Sequence, residues 1–462
     1  MKKYFWATLL STTLLASAVF PPVIQAKSTK SSKEAVKIAI FSDPHYYAPE
    51  LGTSGEAFEK YLAGDRKLLA ESKAILESAV EAIKKSDVDL VLVSGDLTKD
   101  GEYISHKQFT EYLKQLEEAG KQVFVIDGNH DINNPHAVKF EGDQTTPVQQ
   151  VTPSRFKSLY KDFGYSEAIA KDRNSLSYVV EPVEGLRILV MDSALYDTNK
   201  EDNYPKTGGA FSSKRLNWIK EQLEQAQNED KFVIGMMHHG IVEHFSMQEE
   251  LFKDYVVDDW EDVSKELAEA GLKVVFSGHF HANDVVKKEV DNDHFLFDIE
   301  TGSLLTYPSP YRIVEVTPNE KMTIRTKKIT DIDYDMGGKK FPAYAKEFLI
   351  AGLNGLVPQM LAGVLIEQGM PPQDAIAAAE KLANTEVAPS ITVKALLVNA
   401  MVAHYQGDER MDKQTKAIVE GMQASSDPMT QLLGNALTSL LNDPSPRDNN
   451  LTIDLKTGKV TR

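Results

Sequence analysis

Five short pieces, each at the end of an apolar run, gather six of the chain's eleven histidines together with acidic and amide side chains. They are "FSDPH" with Asp43 and His45, "SGDLT" with Asp96, "DGNHD" with Asn129, His130 and Asp131, "MMHHG" with His238 and His239, and "GHFH" with His279 and His281. The Asp-x-His and His-x-His spacings put alternate residues on one side of an extended segment, so one piece can send two groups to one centre. The chain has no cysteine, which leaves His, Asp, Glu, Asn or backbone oxygen to hold any metal. Imidazole and carboxylate donors suit manganese, iron, zinc or nickel, and the lack of thiolate disfavours a structural zinc. Two such ions roughly 3.5–4 Å apart can clamp the oxygens of an in-line displacement at phosphorus, with a bridging carboxylate offsetting their repulsion. Taken singly, Asp43 and Asp96 are ordinary turn residues and His45 an ordinary histidine. That bland reading does not explain why potential ligands recur at successive strand ends.

The elements that would position these groups are strands alternating with helices. "VKIAIFSD" reads as a strand ending at Asp43, residues 65–85 as a helix, "VDLVLVSGD" as a buried strand ending at Asp96, and 105–119 as a helix. "QVFVIDGN" and "LRILVMDS" follow as strands, 212–228 as a helix capped by Ser212, "FVIGMMHH" as a strand, 260–270 as a helix and "KVVFSGH" as a strand. This alternation predicts an α/β core with helices on both sides. All five pieces then lie at the C-terminal ends of strands, where open α/β sheets place their sites. Short runs from "DVVKKEV" to "MTIRTKKI" read as antiparallel strands.

Beyond "DYDMGGKK" the pattern changes. Helical segments broken by Pro, Gly and Asn-Asp predict a separate C-terminal all-α domain without strands. The expected divisions are a signal peptide at 1–26, a flexible leader at 27–35, a catalytic domain at 36–335, a helical domain at 336–445 and a polar C-terminal extension at 446–462. The helical domain reads as a bundle core, or as a lid over the metal site.

Lys2 and Lys3, the apolar stretch over about residues 4–20 and the small residues ending at Ala26 form a signal-peptide pattern, cleaved after Ala26 or alternatively Ala18. An uncleaved anchor is the other reading. No later segment reads as long and apolar enough to span a bilayer, so the expectation is an exported protein, secreted or at the cell surface or periplasm. Loss of Lys2 and Lys3 takes the net charge from −17 to −19. Such a charge disfavours duplex nucleic acid as a partner. A small phosphate ester stays compatible, because bound cations reverse the local field.

The five pieces, in order over roughly residues 36–330, make the chain resemble the calcineurin-like metallophosphoesterase superfamily, whose pattern is D-x-H, G-D, G-N-H-D/E, a further His, then G-H-x-H. The G-N-H-D form and the doubled His look most like the branch of bacterial class III cyclic-nucleotide phosphodiesterases. The resemblance implies a four-layer αββα sandwich with two divalent or trivalent metal ions, manganese, iron or zinc. It implies Asp43, His45 and His281 as ligands of one ion, Asn129, His238 and His279 as ligands of the other, and Asp96 as the bridge. A metal-bound hydroxide would be the nucleophile. His130 would contact the phosphate and protonate the leaving oxygen, with Asp131 orienting it; Asn129 would also neighbour the phosphate, and His239 would either neighbour it or stand behind the ligands. Many relatives read His-His-Pro where this chain has His238-His239-Gly240, so either histidine can be the ligand, with His238 preferred.

The implied activity is a phosphodiesterase acting on cyclic nucleotides or related small diesters. Its rivals are a phosphomonoesterase or broad phosphatase of the same fold, and a non-catalytic metal-dependent binding protein. His106, His136, His244, His294 and His404 are expected outside the site, His244 in a loop near it. Tyr46, Tyr47 and Tyr307 either line the pocket or cover it.

Overall fold

The computed structural model describes residues 34–199, 204–442 and 447–461. The signal peptide expected at 1–26, and all but the last two residues of the leader expected at 27–35, lie outside the described residues.

Continuous apolar runs build the centre of the molecule. Strands β1 (Val36–Phe41), β2 (Leu90–Ser94) and β3 (Gln122–Ile126) pair in parallel. A hairpin of β4 (Val138–Glu141) and β5 (Gln144–Pro147) stands apart from the main sheets. In the second sheet β8 (Leu186–Val190), β9 (Phe232–Met236), β10 (Val274–Ser277) and β12 (Phe295–Glu300) run parallel. Its edges are antiparallel: β6 (Ala170–Lys171) and β7 (Tyr178–Val183) on one side, β11 (Asp284–Glu289) on the other. Every residue of β2, β8 and β10 is buried, as strands covered on both faces require. The first sheet is extended on the β1 side by antiparallel β13 (Pro310–Val316) and β14 (Lys321–Lys328). The runs expected to be antiparallel are therefore mixed, since β12 pairs parallel to β10.

The two seven-stranded sheets face one another across a shared apolar core that includes Ile40, Leu92 and Phe124 from one and Ile188, Ile234 and Phe276 from the other. Short helices α1 (Glu56–Leu62) and α4 (Pro153–Leu159) sit on loops. Helix α2 (Ser72–Lys84) buries Ile75, Leu76, Ala79, Val80 and Ile83, the stripe expected from 3.6-residue spacing, and packs with α3 (Tyr103–Glu118) outside the first sheet. Helices α5 (Ser213–Asn228) and α7 (Trp260–Glu269) cover the second sheet through Ile219, Leu223, Val263 and Leu267, with short α6 (Gln248–Phe252) between them. Ser212 caps α5 as expected, its side chain accepting from Arg215 N at 3.3 Å. Helix, sheet, sheet and helix make the four-layer αββα sandwich.

The helix expected over 65–85 begins only at Ser72. Asp65 Oδ1 accepts from the amides of Arg66 at 2.6 Å and Lys67 at 3.0 Å, a local side-chain turn that competes with helix formation. Leu68 and Leu69 are buried from this loop, not from a helix face.

A separate C-terminal helical region consists of α8 (Phe341–Glu367), α9 (Pro372–Ala383), α10 (Val393–Gln406), α11 (Lys413–Gln423) and α12 (Pro428–Leu440). It also holds the small hairpin of β15 (Glu386–Ala388) and β16 (Ile391–Thr392), against the expectation of no strand. Helix α8 is long and apolar enough to cross a membrane by length and composition, which corrects the expectation that no later segment is. Here it packs Leu349, Leu353 and Val357 into the helical core, a cluster that also contains Phe280 from "GHFH".

The expected C-terminal extension is corrected too. β17 (Asn450–Asp454) and β18 (Lys459–Thr461) close the edge of the first sheet, with β17 antiparallel to β14. Leu451, Ile453 and Leu455 are buried, the alternation of a half-covered strand.

Candidate metal centre

The parallel strands point their C-terminal ends to one end of the sandwich, and the chain turns sharply just beyond them. Asp43, His45, Asp96, His279 and His281 all have positive φ, between 35° and 75°. Left-handed backbone is uncommon for such residues and clusters at sites whose surroundings enforce it. The turns also bring backbone against side chain. A Cβ on Gly278 would lie 1.9 Å from Ser42 Oγ and 2.5 Å from Asp43 Oδ2, and one on Gly128 would lie 2.2 Å from Asp96 Oδ1. Only glycine fits at either place.

Two donor sets result. In the first, His45 Nε2 and His281 Nε2 lie 3.1 Å apart, and Asp43 Oδ1 lies 3.7 and 3.4 Å from them. Burial holds His45 far below the usual imidazole range and pushes His281 down to about 4, so both rings are neutral, the form that binds metal. Asp43 Oδ1 is buried and accepts no hydrogen bond, while Oδ2 is taken by Ser42 Oγ at 2.5 Å and His279 N at 3.1 Å. A buried carboxylate oxygen without a donor, facing two neutral imidazoles, is the setting that a cation satisfies.

In the second set His238 Nδ1 donates to Ser94 O at 2.9 Å. With Nδ1 so engaged, Nε2 faces two further acceptors, Asn129 Oδ1 at 3.1 Å and Asp96 Oδ2 at 3.3 Å. His279 Nε2 donates to Asp254 O at 2.9 Å, which leaves Nδ1 as its donor atom. Burial works against a charge on His238, yet the Asp96 carboxylate outweighs it and lifts the group to about 10. A site that draws a proton so strongly also suits a metal cation. Asp96 Oδ2 borders both sets, 3.3 Å from His238 Nε2 and 3.7 Å from His45 Nε2. Candidate ligand atoms cluster as Asp43, His45 and His281 on one side and Asp96, His238 and His279 on the other, with His45, Asp96 and His130 forming a third group between them. The donor set therefore fits a dimetal centre, and Asn129 Oδ1 stands beside His238 Nε2 in the second set.

His130 stands at the rim with a quarter of its side chain exposed, its Nε2 3.9 Å from Asp96 Oδ2. Its Nδ1 donates to Asp100 Oδ1 at 2.8 Å. Burial disfavours the imidazolium, but Asp96 and Asp100 outweigh it and raise the group above its ordinary value.

The expectation that Asp131 orients His130 is corrected by this contact. Asp131 accepts from Leu97 N, Thr98 N, Gly128 N and Thr98 Oγ1, all at 2.9–3.0 Å, and so ties the β2 and β3 loops together. Of the two readings of His239, the phosphate contact is corrected and the place behind the ligands fits. Its Nε2 donates to Thr207 O at 2.9 Å, its Nδ1 accepts from Ser193 Oγ at 2.8 Å, and its side chain is fully buried. Successive residues after β9 point to opposite sides, so His238 faces the donors and His239 the wall.

A cavity of about 230 Å³ opens over Asp96, Asn129, His130, His279 and His281. Its other walls hold residues the sequence reading did not single out: Asp65, Arg66, Lys67, Thr207, Tyr255 and Leu356. The charged "GDRK" turn was the available signal, hidden inside a segment read as helix. Tyr46 and Tyr47 are buried in the core, and Tyr307 donates to Gln406 Oε1 at 3.1 Å in the helical region. His106 is also buried, 3.0 Å from Asp131 O. His244 lies behind the site, 3.4 Å from Asp284 and 3.3 Å from Asp298.

The model of the family described as calcineurin-like phosphoesterase matches residues 36–283. A curated relative, "Probable glycerophosphodiester phosphodiesterase GpdQ" of Arcobacter nitrofigilis, is 29% identical over 168 residues, 36% of this chain. The match spans 48% of that relative, so the chain spans about half its length. Among solved structures, a dimetal phosphatase from Danio rerio aligns at TM-score 0.46 and 13% identity, over 64% of this chain and 96% of that one. The purple acid phosphatase PPD1 from yellow lupin seeds aligns at TM-score 0.41 and 13% identity, over 65% of this chain and 52% of that one.

Proposed function

As the chain belongs to the calcineurin-like phosphoesterase family, we propose that it is an exported dimetal phosphodiesterase that hydrolyses cyclic nucleotides or related small phosphodiesters. The observation that carries this reading is the pair of donor sets that share Asp96 beneath a small cavity. Asp43, His45 and His281 would hold one ion, Asn129, His238 and His279 the other, and Asp96 both. Manganese, iron or zinc suits this set of imidazoles and oxygens. When bound, the ions supply a water of lowered pKa and positive charge against the phosphoryl oxygens.

The rest falls to the chain itself. Asp96 holds its carboxylate between the two sets, and its other oxygen accepts from His130 N at 2.9 Å, which fixes the "GNHD" turn. Asp100 accepts from His130 Nδ1, so the ring offers Nε2–H to a leaving alkoxide. Asn129 sits beside His238 at the cavity floor, within reach of a phosphoryl oxygen. The cavity is smaller than most drug-sized ligand sites, which favours a small ester. The phosphodiester part of the reading also draws on the name of the curated relative. Export draws on the leader at 1–26 alone. Arg66 and Lys67 in the cavity wall favour a second reading, a phosphatase for dianionic monoesters.

The test is turnover of 2′,3′- and 3′,5′-cyclic nucleotides, glycerophosphodiesters and phosphomonoesters with defined metals. Higher kcat/KM for the diesters is the expected result. Higher kcat/KM for the monoesters would hand the site to the second reading, and hydrolysis of none would remove both.

A further inference from the structure

We propose that Arg66 is a specificity-determining residue that binds a second anionic group of the substrate, a carboxylate or phosphate separate from the reacting phosphorus, and that helix α8 holds it at the cavity wall. The proposal rests on the phosphodiesterase reading and goes beyond it to the substrate's second charge.

Arg66 lies on the loop between α1 and α2, in the wall of the cavity that His130 also lines. Its guanidinium makes no ion pair among the described residues. Its polar contacts are Tyr255 Oη at 3.4 Å and His281 Nδ1 at 3.5 Å, both at the long limit of a hydrogen bond. The neighbouring Asp65 carboxylate favours its charge through space but does not bond its fork: Asp65 Oδ2 faces Lys67 Nζ at 3.7 Å, and Asp65 Oδ1 is taken by backbone amides. A guanidinium cannot shed its charge, and with no carboxylate in hydrogen-bond contact its fork stays open towards the cavity. An anion reaching in from the substrate meets a planar fork built for two parallel hydrogen bonds.

The helical region fixes where the guanidinium sits. A Cβ on Gly352 would lie 2.3 Å from Asp65 O, and one on Gly355 would lie 3.2 Å from Ala63 O. Helix α8 therefore meets the 63–66 loop backbone to backbone, and the loop has no room to retreat. The next residue, Leu356, forms part of the cavity wall itself. The pocket is thus incomplete without the helical region, which acts as a wall of the site.

The experiment uses full-length, manganese-loaded protein and two diesters of similar chain length that differ in a remote charge, propyl 4-nitrophenyl phosphate and 2-carboxyethyl 4-nitrophenyl phosphate. The monoester 4-nitrophenyl phosphate is a third substrate. Wild type should prefer the carboxyethyl diester over the propyl one by about 10- to 100-fold in kcat/KM, through KM. Arg66→Ala should bring that ratio close to one by raising KM for the carboxyethyl diester. Arg66→Lys, which keeps the charge without the fork, should fall between. Calorimetry with 3-phosphonopropionate, which is not hydrolysed, should rank the three proteins in the same order. Gly352→Ala should weaken the preference with metal content unchanged.

A wild-type ratio near one, with both diesters hydrolysed, would overturn the proposal while leaving the phosphodiesterase reading in place. So would an Arg66→Ala that slows both diesters equally, or one that costs the monoester as much as the carboxyethyl diester. Hydrolysis of neither diester would overturn the underlying reading and the proposal with it.

Discussion

Replacing Asp96 with asparagine is expected to lower kcat/KM for small diesters by about 10³-fold or more, and to reduce bound metal below two ions per chain. The expectation comes from the position of one oxygen. Oδ2 of Asp96 is the atom common to both donor sets, 3.3 Å from His238 Nε2 and 3.7 Å from His45 Nε2. An amide there is neutral, and the negative charge that offsets the repulsion of two cations is gone. The fold should persist, because Oδ1 of the new side chain can still accept from His130 N. Metal analysis of the purified variant, beside its turnover, checks both parts. Wild-type turnover in this variant would show that the chemistry does not run through Asp96.

His130→Ala makes the second large change and should do so without loss of metal. Its imidazole lies at the rim, a quarter exposed, with Nδ1 held by Asp100 at 2.8 Å and Nε2 3.9 Å from Asp96 Oδ2. Removing a positioned general acid costs about 10²–10⁴-fold when the leaving group needs a proton. The loss should therefore be large for a ribose or alkyl leaving group and much smaller for 4-nitrophenol, whose anion leaves unaided. Asp100→Asn belongs to the same comparison. It replaces the acceptor that holds His130 Nδ1 at 2.8 Å and should cost about 10- to 100-fold, again mainly with poor leaving groups. Loss of metal from His130→Ala, or equal losses across leaving groups, would remove the proton-donor role.

Much of the sandwich was legible in the sequence, because its parallel strands are continuous apolar runs and its helices carry stripes of clear period. The donors were legible for a related reason. A strand end is a local feature, and the pieces from "FSDPH" to "GHFH" carry their spacing within a few residues. What escaped depends on contacts made far along the chain. Asp100 and Asp131 are both acids close to His130 in the fold, and only the path of the loop after β2 decides which one meets its ring. Arg66 was absorbed into a helix because its neighbours Leu68 and Leu69 match helical spacing, while the side-chain turn at Asp65 ends that pattern. β17 offers few apolar residues, and its partner β14 lies more than a hundred residues earlier. The contact of α8 with the 63–66 loop is a match of small glycines to backbone, which leaves no hydrophobic signature.

The central claim is that two donor sets sharing Asp96 hold two ions and that hydrolysis needs both. The measurement that tests it most directly is a metal titration of chelator-treated, full-length protein, with bound manganese and turnover of bis(4-nitrophenyl) phosphate followed together. The account predicts no turnover before metal is added, two ions bound per chain at saturation, and turnover that rises as the second ion binds. Full turnover at one ion per chain, or turnover that survives complete removal of metal, would contradict it.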